Sequence, residues 1–176
     1  VTALLFPDNT VLCNYACVDR IDLLKAVLSE RGRWTQAVYA EARQSSNVWP
    51  SLSALMDHSL LGEPIEIDDA EQVDRIRQAR LSGSALKPTQ HLGEAETCYL
   101  IHNDAAYQDA IWITDDYDAF DFAQQLGIMT WDTRSTFETL VAMGDTTAQE
   151  AFQLLEQMCD LGRHPRRMPT HYRELQ

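Results

Sequence analysis

Three short apolar runs, each closed by an acidic residue and followed by helical periodicity, constrain this chain more than any other feature. Thr2-Ala3-Leu4-Leu5-Phe6 ends at Pro7-Asp8, Ala110-Ile111-Trp112-Ile113-Thr114 ends at Asp115-Asp116, and Ile128 to Trp131 ends at Asp132. Apolar runs of this length suit buried strands, and strands that alternate with helices return in the same direction. The pattern predicts an α/β fold with a mainly parallel central sheet covered on both faces. Between the runs, Leu12, Tyr15, Ala16, Ile21, Leu24 and Leu28 recur at helical spacing before Gly32. Trp34 to Val38 reads as a further short strand, followed by a helix through Tyr39, Glu41 and Arg43. Pro50 opens a helix with Leu52, Leu55 and Met56 inward, closed by Gly62.

Asp68 is placed to cap a helix through Val73, Ile76 and Ala79, with Arg75, Arg77 and Arg80 partly outward. Residues 82–90 read as an exposed loop, and further helices are predicted from Glu94 to about Tyr107, Ala119 to Leu126 and Thr133 to Met143. Thr146 or Thr147 caps a last helix that stops at Gly162, leaving Arg163 to Gln176 as a mobile arm or a surface strap. The expected division is a catalytic-type domain over residues 1–143 and a C-terminal helix with a basic tail over 144–176.

Charge narrows the function classes. With 14 Lys and Arg against 27 Asp and Glu, the net charge of −13 excludes a broad basic face that grips nucleic acid. Contact with RNA or DNA must then use local basic groups or bridging cations. No stretch approaches the roughly 18 apolar residues of a membrane span, and the N-terminus lacks a signal-peptide pattern, so no membrane association and a cytoplasmic location are expected. Cys13, Cys17, Cys98 and Cys159 form no C-x-x-C pair and have no His at zinc spacing. They read as reduced small hydrophobes.

Acidic residues recur where an open parallel sheet places its active centre: Asp8, Glu41, Glu94 with Glu96, and Asp115-Asp116 with Asp118. Carboxylates converging on one point need a cation, and oxygen ligands select Mg²⁺ or Mn²⁺. On spacing alone, helix N-terminal acids that complement the dipole are the better-fitting reading. An aspartyl-nucleophile phosphatase would want an Asp two residues after Asp8, where Thr10 stands.

Leu5-Phe6-Pro7-Asp8-Asn9-Thr10-Val11-Leu12, Tyr39-Ala40-Glu41, Leu92-Gly93-Glu94-Ala95-Glu96, and Ile113-Thr114-Asp115-Asp116 followed by Leu126-Gly127-Ile128 together resemble the ordered motifs of the PIN-domain nucleases, including the VapC-like toxins of bacterial toxin–antitoxin systems. The resemblance runs from about residue 3 to 141. It implies a PIN-like three-layer α/β/α sandwich and a Mg²⁺- or Mn²⁺-dependent endoribonuclease. By position, the acids are Asp8, Glu41, Glu94 and Asp116, with Glu96 the alternative to Glu94 and with Asp115 and Asp118 close enough to exchange roles with Asp116. Asp8, Glu94 and Asp116 would hold the ion, with Glu41 taking a proton from water. RNA is the implied substrate and an antitoxin protein the implied partner, with a homodimer also compatible. A catalytically silent PIN-like binding protein and a housekeeping nuclease are the competing readings.

The basic residues gather in two groups, Arg75, Arg77, Arg80 and Lys87, and Arg163, Arg166, Arg167 and Arg173. Arg75, Arg80, Arg163, Arg166 and Arg167 are the candidate RNA contacts, against a solvated helix face and a charged tail. His91, just before the Gly-Glu motif, is the histidine placed to aid substrate binding. Thr114 and Thr133 suit ligand contact or helix capping. Leu52, Leu55 and Met56 could offer a groove to an antitoxin helix or pack in the core.

Overall fold

A computed structural model of the chain describes residues 3–176. The predicted first strand starts at Thr2, which lies outside the described residues. Its apolar centre forms β1 (Leu5–Pro7), which pairs in parallel with β2 (Ile111–Ile113), itself parallel to β3 (Met129–Trp131). The register sets Ile111 between Leu5 and Met129, and Ile113 between Pro7 and Trp131. Asp8 N–H donates to Ile113 O at 2.9 Å and Ile111 N–H to Leu4 O at 2.8 Å, so the even-numbered residues bond toward β2. Pro7 therefore turns its missing donor to the other edge, where a proline costs no ladder bond.

That other edge carries only isolated bridges. Gly32 bridges Leu5 and Thr35 bridges Ile65, both in parallel. The strand expected over Trp34–Val38 is cut short because Thr35 caps α3 (Gln36–Ser45), its hydroxyl accepting from Val38 N–H. Read through the bridges, the order across the sheet is residue 65, residues 32–35, β1, β2, β3. The chain steps outward from β1 on one side and then continues on the other. In parallel sheets such a reversal opens a crevice at the carboxyl ends of the two central strands, here after Pro7 and Ile113.

The remaining elements are α1 (Asn9–Cys17), α2 (Ile21–Leu28), α4 (Ala70–Arg80), α5 (Leu92–Asn103), α6 (Tyr117–Gln125), α7 (Thr133–Met143) and α8 (Ala148–Asp160). Alternation along the strands divides the core. Leu5, Ile111 and Ile113 feed one apolar cluster with α1, α2, α7 and α8, while Phe6 and Trp112 feed another with α4, α5 and α6. The fold is α/β with a small three-stranded parallel sheet.

Several local expectations are corrected. Pro50–Leu55 is a 3₁₀ turn with Leu52 and Leu55 fully buried, so these residues belong to the core and offer no groove to a partner. Asp69, one residue beyond Asp68, caps α4 by accepting Gln72 N–H. Arg77 is not outward: it is 2% exposed, and its guanidinium meets Asp74 and the carbonyls of Ser84, Lys87 and Gln90. The loop over 84–90 is thereby wound around a buried cation.

Past Gly144, Thr147 caps α8, and Ala151, Leu154, Leu155 and Met158 join the same cluster as Leu5. The last segment is a strap. Arg134 donates to the carbonyls of Arg167 and Glu174 at 3.0 and 3.2 Å, and Leu175 is buried. All four cysteines are free thiols, and among the described residues no helix is long and apolar enough to cross a membrane.

Candidate functional site

Asp8 leaves β1 and caps α1. Its Oδ1 accepts Val11 N–H at 3.0 Å and the Thr10 hydroxyl at 2.6 Å, and its Oδ2 accepts the Thr114 hydroxyl from the end of β2. Thr114 Oγ1 also accepts Asp116 N–H at 3.1 Å, so one hydroxyl ties the ends of both central strands. Asp8 is 2% exposed. Burial, followed by the charge of Glu94, lifts its carboxyl from the ordinary 3.8 to about 7 despite those three hydrogen bonds.

Glu41 projects from α3 toward α5, and Gly93 permits the approach. A Cβ on residue 93 would stand 3.0 Å from both Val38 Cγ2 and Glu41 Oε2. Without one, Gly93 N–H donates to Glu41 Oε1 at 3.3 Å. Burial first, then the charges of Glu94, Asp8 and Glu96, raise the Glu41 carboxyl to about 8 against that single hydrogen bond.

Glu94 follows Gly93 in the first turn of α5, and Asp116 caps α6 by accepting Ala119 N–H at 2.8 Å. One ligand atom from each of His91, Glu94 and Asp116 lies within 4.8 Å of the others. His91 Nδ1 stands 3.5 Å from Glu94 Oε1, held by a left-handed backbone (φ 59°) at the start of α5. Acids from the ends of β1 and β2, from α3 and from α5 thus share one neighbourhood at the carboxyl end of the sheet.

Among the described residues, no Lys or Arg forms an ion pair with Asp8, Glu41, Glu94 or Asp116. Carboxylate oxygens with one imidazole fit a hard divalent cation such as Mg²⁺ or Mn²⁺, the imidazole suiting Mn²⁺ better. The nitrogen donor is the residue sequence reasoning had assigned only to substrate binding.

The other candidate acids lie outside this cluster. Successive residues leaving a strand point opposite ways, and Asp115 points from Asp116 into a buried network. It accepts from Asn14 Nδ2 (2.8 Å), Thr133 N–H (3.2 Å), the Thr133 hydroxyl and Arg166 N–H (3.0 Å). Glu96 lies about 200° around α5 from Glu94 and accepts Ala37 N–H at 2.9 Å at the start of α3. Asp118 is exposed in the first turn of α6.

The candidate RNA-binding arginines separate in the same way. Arg75 is exposed and pairs with Glu71, and Arg80 is exposed with its guanidinium 5.9 Å from the Phe122 ring centre. Arg167 grips Asp132 through two hydrogen bonds of 2.6 and 2.8 Å. Arg166 is buried, its guanidinium 4.1 Å from the Tyr117 ring centre and 4.2 Å from that of Phe120. Arg163 stands at the site: Nε donates to Asn14 Oδ1 at 2.8 Å and Nη2 to Thr10 O at 3.1 Å. It walls a cleft of about 450 Å³ with Thr10, Asn14, Asp116, Tyr117 and His164.

No family model, curated protein or solved structure matches this chain. What the site can do rests on its own geometry.

Proposed function

We propose that the chain is a metal-dependent endoribonuclease of the PIN-like kind its motifs resemble, with Asp8, Glu41, Glu94 and Asp116 as its catalytic acids, acting as the toxin of a toxin–antitoxin pair. One observation carries the enzymatic part: Asp8, Glu41, Glu94 and Asp116, from four separate segments, meet in a crevice where Asp8 is buried and the others half-buried, and no Lys or Arg among the described residues pairs with them. Burying such a set without a counter-charge is costly, and function is the ordinary reason for retaining it.

Asp8, Glu94 and Asp116, with His91, would hold Mg²⁺ or Mn²⁺. The ion supplies charge neutralisation for the phosphate and acidifies water. Glu41 serves as the base: among the described residues its one hydrogen-bond partner is the Gly93 N–H, so its remaining lone pairs can take the proton of an attacking water. Thr10 and Thr114 fix the direction in which Asp8 presents its oxygens. An antitoxin blocks such a site by inserting an Arg or Lys among the acids, replacing the divalent charge.

Purified chain incubated with total RNA should cut it with Mn²⁺ or Mg²⁺ and leave it whole with chelator or as Asp8→Asn. Cleavage that persists with excess chelator, or none in either metal, overturns the reading. Expression alone should arrest bacterial growth; a chain that cuts RNA in vitro yet is harmless at high expression is a nuclease but not a toxin.

A further inference from the structure

We infer that Tyr117 is a positioning residue that holds a nucleotide in the cleft beside the acids by stacking against its unpaired base. The inference rests on the nuclease reading above. Tyr117 follows Asp116 directly and lines the cleft, yet its side chain is 64% exposed, unlike most large apolar groups of the chain. Its ring is nevertheless fixed. The Arg166 guanidinium sits between Tyr117 and Phe120, residues one helical turn apart on α6. Arg166 is itself anchored, its backbone N–H on Asp115 and its guanidinium Nε and Nη1 buried without a hydrogen-bond partner among the described residues. A largely buried cation packed against two aromatic rings makes a rigid backing, and it leaves the exposed face of Tyr117 as a flat apolar platform at the edge of the acids.

Charge points the same way. At −13 the chain repels polyanions, and among the predicted RNA contacts Arg75, Arg166 and Arg167 are committed to Glu71, two rings and Asp132. Arg163 alone of that group lines the cleft, with Nη1 free of any hydrogen bond among the described residues. One guanidinium and a bridging cation give few phosphate contacts, so much of the affinity is left to an uncharged interaction. Base stacking on an aromatic ring is of that kind and is indifferent to sequence. It requires a base whose faces are uncovered, which a duplex does not offer.

The test uses the full chain as Asp8→Asn, with Mn²⁺ present, and measures anisotropy of a labelled mixed-sequence RNA single strand and of a hairpin of equal length. The single strand should bind more tightly than the hairpin, with a salt dependence equivalent to about one or two phosphate contacts. Adding Tyr117→Ala or Tyr117→Leu should weaken single-strand binding roughly tenfold, whereas Tyr117→Phe and Tyr117→Trp should preserve it. The leucine variant keeps an apolar cover over Arg166 but has no π face, which separates stacking from a packing defect. Equal affinity of the leucine and phenylalanine variants, tighter hairpin binding, or no RNA binding by the Tyr117-intact protein overturns the inference. If the single strand binds through Tyr117 but the wild-type chain never cuts it with metal, the nuclease reading fails and the stacking site stands. If the chain cuts RNA while the Tyr117 variants bind unchanged, the stacking site alone fails.

Discussion

The unanswered carboxylates should be visible as a stability slope before any RNA is added. Asp8 ionises near 3.8 in an unfolded chain and near 7 in the folded one, chiefly through burial and then through Glu94. Between those values the folded state holds a proton that the unfolded state has lost, so folding is favoured below about pH 4 and the advantage disappears as pH rises through 7. At about 1.4 kcal/mol per pH unit, the full span has an upper bound on the order of 4 kcal/mol. Glu41 shares Glu94 as a cause and is not added. With relaxation about half should survive, or ~2 kcal/mol and roughly 4–8 °C in Tm for a chain of this size. Asp22, Asp132 and Glu150 shift the opposite way, held down chiefly by Arg20 or Arg167, so they add no fall in stability with rising pH. Urea unfolding in chelator should therefore show stability falling from pH 5 to pH 8. Saturating Mn²⁺ should remove the fall, since binding at a hundredfold above Kd adds about 2.7 kcal/mol. Asp8→Asn isolates the site from general charge repulsion: Asn still caps α1 through Val11 N–H, and this variant should be flatter with pH and more stable than wild type at pH 8. A wild-type curve in chelator that is flat or rising, or an Asp8→Asn curve of the same slope, refutes the reasoning.

Glu94→Gln should abolish metal-dependent cleavage and raise chelator-state stability at pH 8, while Glu96→Gln keeps an acceptor for Ala37 N–H and should cost less than about 1 kcal/mol by thermal melt. Gly93→Ala gains up to about 1 kcal/mol of helix propensity but pushes a methyl against Val38 and Glu41, so stability should stay near wild type while Mn²⁺ affinity, read by titration calorimetry, falls at least about tenfold. Arg167→Ala leaves buried Asp132 without its cation and should lower stability by about 3 kcal/mol with RNA affinity unchanged, whereas Arg163→Ala should weaken RNA binding and flatten its salt dependence.

The sequence was legible where one signal dominated. The Thr133–Met143 helix and the cap at Thr147 emerge with the predicted bounds because an N-cap, an apolar stripe and a terminal Gly agree. Asp8, Glu94 and Asp116 could be named because each follows a strand or opens a helix, whereas Glu41 lies in the middle of α3 and stood out only through the Tyr39-Ala40-Glu41 motif. Which neighbour faces inward was not legible from position alone for Asp115 against Asp116, since that depends on donors over 100 residues away in sequence, such as Asn14. Arg77 shows the limit most clearly. Its spacing of four from Val73 puts it on the buried face of α4, but an arginine there reads as solvated until a loop supplies carbonyls to hold it. The near-contact at Gly83, where a Cβ would come within 2.8 Å of Arg77 O, was the available hint that the chain folds back tightly at that point.

Buried acids in this molecule sort by how their charge is answered, and the sorting separates scaffold from site. Asp132 is fully buried, yet Arg167 and Ser135 more than offset the burial and hold its carboxyl low. Asp115 is buried and raised, but it receives donors from α1, α7 and the C-terminal strap and so joins three parts of the chain. Both also lie where a carboxylate would be chosen for folding alone, one capping a helix and the other closing a network. Glu41 and Glu94 have no such service. Among the described residues, the one hydrogen bond to Glu41 comes from a backbone N–H at 3.3 Å, and the one partner of Glu94 is His91 at 3.5 Å. A glutamine at either position would meet the same neighbours without repulsion and give a more stable fold. What a glutamine cannot do is balance an incoming cation, and that difference is the physical ground for the proposal that these acids serve a metal-dependent reaction.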